Sequence, residues 1–348
     1  MRRQFGTLLL TAILFAVLIL GCVCTPLLTH TRVFIEGNGE ERIDKVIESF
    51  DEGNRLIVVD RLEKKDLNYL IDRVYDDPGL FWIDMRYNAL SVGSVSIVAV
   101  YEKYDNVEAK QNAIEAAASS VIKSVITKDM TEYEKVLAIH DWICKNVTYK
   151  ATDNASDQDI YGALILGEAR CAGYAKLFSY LLNMAGIESS VVSGNSIDKN
   201  GETVPHAWNV VYIDDNAYYF DITWDDDDIK GHTYEWFGIS KDEFKMAHFP
   251  NIGYEWVETN SDAACYYVKN GMYMKEFGID VLSNQFLKQG NKIIIKCATK
   301  SVLNKVIKAL NDEGQMLSVM RTVGIDRIEK ISYSENKYTN CLYIEIMQ

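Results

Sequence analysis

The sequence predicts an α+β fold in which a cysteine-bearing helix packs on an antiparallel sheet bearing a histidine and an aspartate, with small α/β regions on either side. Three observations predict it. After Cys171, Tyr174, Leu177, Phe178, Leu181, Leu182 and Ala185 recur at steps of three and four, the apolar stripe of an amphipathic helix that Gly186 ends. His206–Ile213 and Ala217–Trp224 are β-rich runs separated by Asp214-Asp215-Asn216, a polar break that closes a hairpin. The flanking stretches mix helical spacing with β-branched runs.

In chain order, Arg2 and Arg3 precede the apolar run Phe5–Leu20, the pattern of a secretory signal. Ile19-Leu20-Gly21-Cys22 resembles a bacterial lipobox, which implies lipidation at Cys22; an uncleaved anchor over Phe5–Val23 is the alternative. Either way the folded part is expected outside the cytoplasm, tethered to a membrane through residues 25–30. Residues 25–105 read as a small α/β region, with helices over Glu41–Phe50 and Lys64–Tyr75, a turn at Pro78-Gly79 and a strand over Ser91–Tyr101. Residues 106–262 form the central domain. It opens with an alanine-rich helix from Val107 to about Ile126, and Thr131 with Glu134 is a capping box that starts another. His140 falls in the apolar stripe of that second helix and reads as a buried structural histidine, with Cys144 as core. Ala151–Asp159 is a polar loop, and Ile160–Leu166 gives one or two helical turns ending at Gly167. Residues 263–348 form a small α+β domain with strands over Ala264–Tyr273, Lys292–Ala298 and Tyr338–Ile346 and a helix over Val302–Leu310, plausible for binding or docking.

The central domain holds the chemistry. Cys171 sits at a helix N-terminus, where unpaired N–H groups and the positive end of the macrodipole favour a thiolate and can stabilise an oxyanion. Small Ala172 and Gly173 leave room beside the sulfur for a carbonyl. With Asp214 and Asp215 as the turn residues, His206 faces Thr223 and Trp208 faces Asp221. His206 and Asp221 are then diagonal neighbours on one face, roughly 7–8 Å apart at the backbone and within side-chain reach. Cysteine, histidine and aspartate are the inventory of a nucleophile, its base and the base's orienter. Tyr161, Ala172 and Trp208 are further candidates for the cleft or oxyanion site, although Tyr161 and Trp208 read more readily as packing groups.

Cys171-Ala172-Gly173-Tyr174-Ala175, His206-Ala207-Trp208-Asn209 and Asp221-Ile222-Thr223-Trp224-Asp225 resemble the three core motifs of the transglutaminase-like superfamily, the papain-like group with cysteine, histidine and aspartate in that order. His140–Tyr149 is similar to the helix that bacterial members carry before the nucleophile, and Trp236–Ser240, with His248 beyond, is similar to a later segment. The resemblance spans about residues 131–250. It implies Cys171 as nucleophile, His206 as general base and acid, Asp221 as orienter, and acyl transfer through a thioester. Hydrolysis of a peptide or amide ranks ahead of cross-linking to a lysine amine. A non-catalytic surface module that binds peptides or envelope polymers is the competing class.

Composition sets outer bounds. The 348 residues are 48% hydrophobic and 25% charged, a globular composition. A net charge of −14 argues against a nucleic-acid partner, since phosphate binding relies on clustered lysine and arginine. The expected partners are a protein, peptide or cell-envelope polymer as substrate and a membrane through the N-terminus. No cofactor and no metal are expected. Asp225-Asp226-Asp227-Asp228 reads first as a solvated acidic loop, with attraction of lysine-bearing substrates or calcium as lesser readings. Cys265, Cys297 and Cys341 allow one disulfide that the sequence does not define.

Overall fold

The computed structural model describes residues 33–35, 39–151, 155–227, 231–252, 254–259, 261–325 and 329–347. The leader over residues 1–24, the lipidation site Cys22 and the leash lie outside the described residues. The chain divides into two compact units, up to Ala116 and from Ala117 onward. The helix α3 (Val107–Val125) runs across that division.

The first unit is a four-stranded sheet of order β1-β2-β4-β3, formed by Val33–Ile35, Leu56–Asp60, Val95–Glu102 and Ile83–Val92 respectively. Two helices accompany it, α1 (Gly39–Asp51) and α2 (Lys64–Asp76). α1 buries Ile43, Val46, Ile47 and Phe50, and α2 buries Leu70 and Val74, at the spacing that marks an amphipathic face. The strand expected over Ser91–Tyr101 is two strands meeting in a tight hairpin. Val92 pairs with Val95, and Gly93 takes a φ of 61°, which favours glycine. β3 carried a signal that the sequence reading passed over: Ile83, Met85, Tyr87 and Ala89 alternate with Asp84, Arg86 and Asn88, the period of a half-buried strand.

The second unit is built on a five-stranded antiparallel sheet of order β12-β9-β8-β7-β13. Its strands are Ser189–Ile197 (β7), Thr203–Ile213 (β8), Asn216–Phe220 (β9), Phe237–Ile239 (β12) and His248–Pro250 (β13). The short strands β5 (Thr148–Tyr149) and β6 (Glu168–Ala169) pair with each other, as do β10 (Asp226–Asp227) and β11 (Gly231–His232). Glu132–Asn146 (α4) begins with both bonds of the expected capping box, between Thr131 and Glu134. Cys171–Met184 (α5) buries Tyr174, Leu177, Phe178, Leu181 and Leu182. It is pinned to the sheet by Asn209 Nδ2, which donates to the Ala175 carbonyl at 2.9 Å, and by Phe178 against Phe220 at 5.7 Å between ring centroids.

The β8–β9 hairpin has the register the turn residues predict, Ile213 opposite Asn216 down to Asn209 opposite Phe220. Asp214 and Asp215 both have positive φ, as a two-residue primed turn requires. The ladder stops there, which corrects the expected run to Trp224. Asp221 leaves the sheet and caps a four-residue helix, α6 (Ile222–Asp225), so Trp208 and His206 have no ladder partners at Asp221 and Thr223.

Residues 263–348 belong to this second unit and add a sheet of order β14-β15-β17-β16, with β14 Tyr273–Met274, β15 Lys292–Cys297, β16 Lys330–Asn336 and β17 Cys341–Met347. The segment expected as a strand over Ala264–Tyr273 is instead a short helix at Tyr266–Lys269, and helices at Ile279–Gln289 and Glu313–Val323 join the expected one at Lys300–Leu310. Leu282, Phe286, Ile293, Ile295, Leu303, Val306 and Leu342 make a core of their own. Cys265, Cys297 and Cys341 are free, so the disulfide left open by the sequence does not form. Among the described residues no helix is long and apolar enough to cross a membrane.

Candidate active site

Cys171 is the first residue of α5, and Arg170 is its N-cap. The start of the helix is fixed from outside: the Arg170 backbone N–H donates to the Asp157 carbonyl at 2.6 Å, and its guanidinium donates to Asp157 Oδ1 at 2.9 Å. A Cβ on Gly173 would lie 2.7 Å from Ala169 Cβ and 3.1 Å from the Asp157 carbonyl oxygen. Ala172 is 1% exposed. The small residues after Cys171 therefore serve the close packing of the helix start, a correction to the expectation that they clear space for substrate.

The partly exposed Cys171 sulfur lies beside the His206 ring and the Ala207 backbone N–H, and both act on it in favour of the thiolate. His206, on β8, directs Nε2 to Asp221 Oδ2 at 2.7 Å, which leaves Nδ1 as the ring nitrogen for the sulfur. Trp224 stacks on the His206 ring at 4.8 Å. Asp221 is buried, and its second oxygen, Oδ1, accepts the Trp224 N–H at 3.2 Å, the capping bond of α6. Sulfur, imidazole and carboxylate thus come together in that order, with the imidazole hydrogen-bonded to the carboxylate and acting on the sulfur.

Burial acts to raise the Cys171 thiol, but the His206 bond and charge outweigh it and the thiol is held below its ordinary value. Burial acts to lower His206; the Asp221 charge and hydrogen bond outweigh that and push it up to about 10. Burial would raise Asp221, and the two histidines bonded to it hold it well below the usual carboxylate range. All three shifts favour a thiolate–imidazolium pair beside an ionised carboxylate.

Sequence reasoning placed His248 only at the end of a similar segment and assigned it no role. The ring is fully buried on β13, and its Nε2 lies 2.9 Å from Asp221 Oδ2, the oxygen already bonded to His206. A usable signal was present: the chain has five histidines, and a histidine between Ala247 and Phe249 in an apolar stretch needs a polar partner. His206, Asp221 and His248 are also the grouping among the described residues whose ligand atoms, within 4.8 Å of one another, could hold a metal ion. The hydrogen bonds that join them account for that closeness.

The remaining candidates lie elsewhere in the packing. Trp208 is 1% exposed and sits in the core beside Phe244 and His248, so it walls no open cleft. Tyr161 is partly buried and precedes the π-helical turn Gly162–Leu166, with its N–H donated to Asp159 Oδ1 at 2.9 Å. The acidic run is not a solvated loop where it is described. Asp225 is 1% exposed and bonds His140 Nε2 at 3.2 Å, Thr233 Oγ1 at 3.1 Å and the Trp236 N–H at 3.0 Å. Asp226 Oδ2 accepts the Tyr174 hydroxyl at 2.6 Å. Asp228 lies outside the described residues. His140 is buried and hydrogen-bonded, as its place in the apolar stripe predicts, with Cys144 Sγ 3.9 Å from Nε2.

Residues 119–222, which contain Cys171, His206 and Asp221, match the model of the transglutaminase-like superfamily. The chain carries a transglutaminase-like core. Kyphoscoliosis peptidase of Homo sapiens is 28% identical over 135 residues, and that of Mus musculus 28% identical over 136. Each match takes in 36% of this chain and 20% of the relative, so the chain spans a fifth of the curated relatives it matches. A solved TGase structure overlaps 58% of this chain and 60% of its own, with 16% identity and a TM-score of 0.29, a loose superposition. The transglutaminase-like match ends before Asp225 and His248, so the second imidazole on Asp221 lies beyond the matched segment.

Proposed function

We propose that the chain is a thiol enzyme that cleaves peptide or amide bonds through a Cys171 thioester, with transfer to an amine as the alternative outcome. The observation that carries this is the Cys171 sulfur at the opening turn of a helix, acted on by a His206 imidazole that Asp221 holds at 2.7 Å. The Cys171 thiolate attacks the carbonyl carbon and forms a C–S bond. Helix-start N–H groups face the oxyanion, and His206 gives its proton to the leaving amine as the C–N bond breaks. Water then attacks the thioester, loses a proton to His206, and releases the acid and the thiolate. A lysine amine in place of water would give a cross-link by the same steps. Hydrolysis ranks first because the relatives matched over this core bear the name peptidase.

The same reading makes the substrate a protein, a peptide or a cell-envelope polymer. It puts the enzyme outside the cytoplasm, tethered through a lipid on Cys22 or through an uncleaved anchor over Phe5–Val23; Arg2, Arg3 and the Ile19–Cys22 motif support this. An intact cysteine, histidine and aspartate set speaks against a purely binding module.

Alkylation tests the proposal. Of the five described cysteines, Cys171 alone has a lowered thiol, whereas burial raises Cys144, Cys265, Cys297 and Cys341. Peptide mapping after brief iodoacetamide treatment near pH 7 is expected to find label on Cys171 first, and His206→Ala to slow it. Equal labelling of Cys144 and Cys171 overturns the enzyme reading. Incubation with a protein mixture and a tagged primary amine then separates the two outcomes: new N-termini support hydrolysis, and tag incorporation without fragmentation overturns that preference.

A further inference from the structure

His248 has no step in the reaction above, yet it touches the oxygen on which His206 depends. Edge pairing sets it there: His248 lies opposite Ser196, and Pro250 opposite Gly194. A Cβ at position 194 would lie 2.3 Å from the Phe249 carbonyl oxygen and 2.6 Å from the Trp208 ring, so glycine is what lets β13 close on this side of the sheet. The ring is then caged by aromatics, Phe244 stacked at 3.7 Å, Trp224 at 4.8 Å, Trp236 at 4.9 Å and Trp208 at 5.0 Å. The titratable groups acting on it are Asp221 from the start of α6 and His206 from β8; the helix before β13 offers the Phe244 carbonyl, 3.2 Å from Nδ1.

A buried histidine in such a cage is ordinarily a packing group with its polar atoms satisfied. That accounts for a hydrogen bond but not for its address. Asp221 Oδ2 is 2.7 Å from one imidazole and 2.9 Å from the other. An N–H donated to a carboxylate oxygen draws charge from it and makes it a weaker base toward any second donor. We propose that His248 is a positioning residue that acts on the Cys171–His206 pair through Asp221, sharing Oδ2 and so limiting how tightly the carboxylate holds the His206 imidazolium. The consequence is mechanistic: His206 must be charged to support the thiolate, and must still surrender its proton to the leaving amine. The inference rests on the thiol-enzyme reading.

The test uses the full chain and iodoacetate, whose negative charge is drawn to an imidazolium, so that its rate of reaction with Cys171 falls as His206 loses its proton. His248→Phe fills the cage without a donor, and the upper limb of the pH–rate profile is expected to rise by about half to one pH unit. His248→Gln, which retains a donor near Nε2, is expected to keep the upper limb of the parent. Should the Phe variant fail to fold, His248→Asn, too short to reach Oδ2, is expected to show the same upward shift. An unmoved or lowered upper limb in a variant that unfolds at the parent temperature overturns this proposal while leaving Cys171 as the fast thiol. Parent protein in which Cys171 reacts no faster than Cys144 overturns the enzyme reading, and this proposal with it.

Discussion

At the level of single residues, the reactivity of Cys171 is a contest between burial, which favours the thiol, and a charged imidazole with a backbone N–H, which favour the thiolate. The second influence wins, so alkylation is expected to remain fast well below the ordinary thiol range of about 8.5. His206 contributes in the opposite window. Its folded value is raised to about 10, so the stability it lends is complete below an ordinary imidazole value of about 6.5 and is lost as pH rises through about 10. Asp221→Asn tests both statements, because the amide holds no imidazolium. The expected outcome is a loss of turnover of about 10³- to 10⁴-fold, with alkylation of Cys171 slowed near neutral pH, in a protein whose thermal unfolding is checked alongside. Cys171, His206 and Asp221 were legible because each announces itself locally: a cysteine at the head of an apolar stripe, a histidine on a hairpin strand and an aspartate just past the end of that hairpin. His248 was not, since its partner lies 27 residues away and only sheet pairing brings them together.

Individual elements show what local pattern decides and what it leaves to tertiary contacts. The β8–β9 register followed from two turn residues, because a primed turn fixes the pairing of everything beyond it. Residues 221–225 misled for the opposite reason. Ile222, Thr223 and Trp224 have strand composition, but Asp221 caps a helical turn and Asp225 is tied to His140, Thr233 and Trp236. Tyr266–Lys269 erred in the same way, its aromatic residues filling a helix. His140→Leu is therefore expected to leave Asp225 buried without its imidazole, loosen α6 and slow Cys171 alkylation, while circular dichroism reports an otherwise intact fold. α1 offers an independent test in the first unit. Asp51 closes that helix at an exposed position, where the macrodipole already disfavours negative charge, and partial desolvation with Asp77 and Glu48 nearby pushes its carboxyl up to about 6. The folded state thus binds the extra proton between about 4 and 6, and stability falls as pH rises through that window. Asp51→Asn is expected to raise the melting temperature at pH 7.5 and to change little at pH 4; equal effects at both would refute the electrostatic account.

Across the second unit, the C-terminal residues are part of the support for the site and not a pendant module. Lys296 on β15 is 2% exposed, donates to the Thr339 carbonyl at 2.9 Å and forms an ion pair with Glu243. Glu243 precedes Phe244, whose ring stacks on His248 and whose carbonyl faces its Nδ1. Glu235 accepts the Thr339 hydroxyl at 3.0 Å and the Asn336 amide, next to Trp236 of the aromatic cage. Tyr267, Cys341 and Tyr343 complete the core behind Trp208 and Tyr219. Composition could not foretell this, because a lysine in a β-rich run reads as an edge residue facing water, and the carboxylate that neutralises it is 53 positions away. Breaking one member of a buried pair leaves the other charge without compensation, whereas replacing both by apolar groups of similar volume is often neutral. Lys296→Met is accordingly expected to destabilise the protein by about 3–5 kcal/mol in urea unfolding and to slow Cys171 alkylation through the displaced Phe244 and His248. Lys296→Met combined with Glu243→Leu is expected to recover most of both losses. Recovery of stability without recovery of alkylation would show that the ion pair itself, and not the packing it secures, acts on the site.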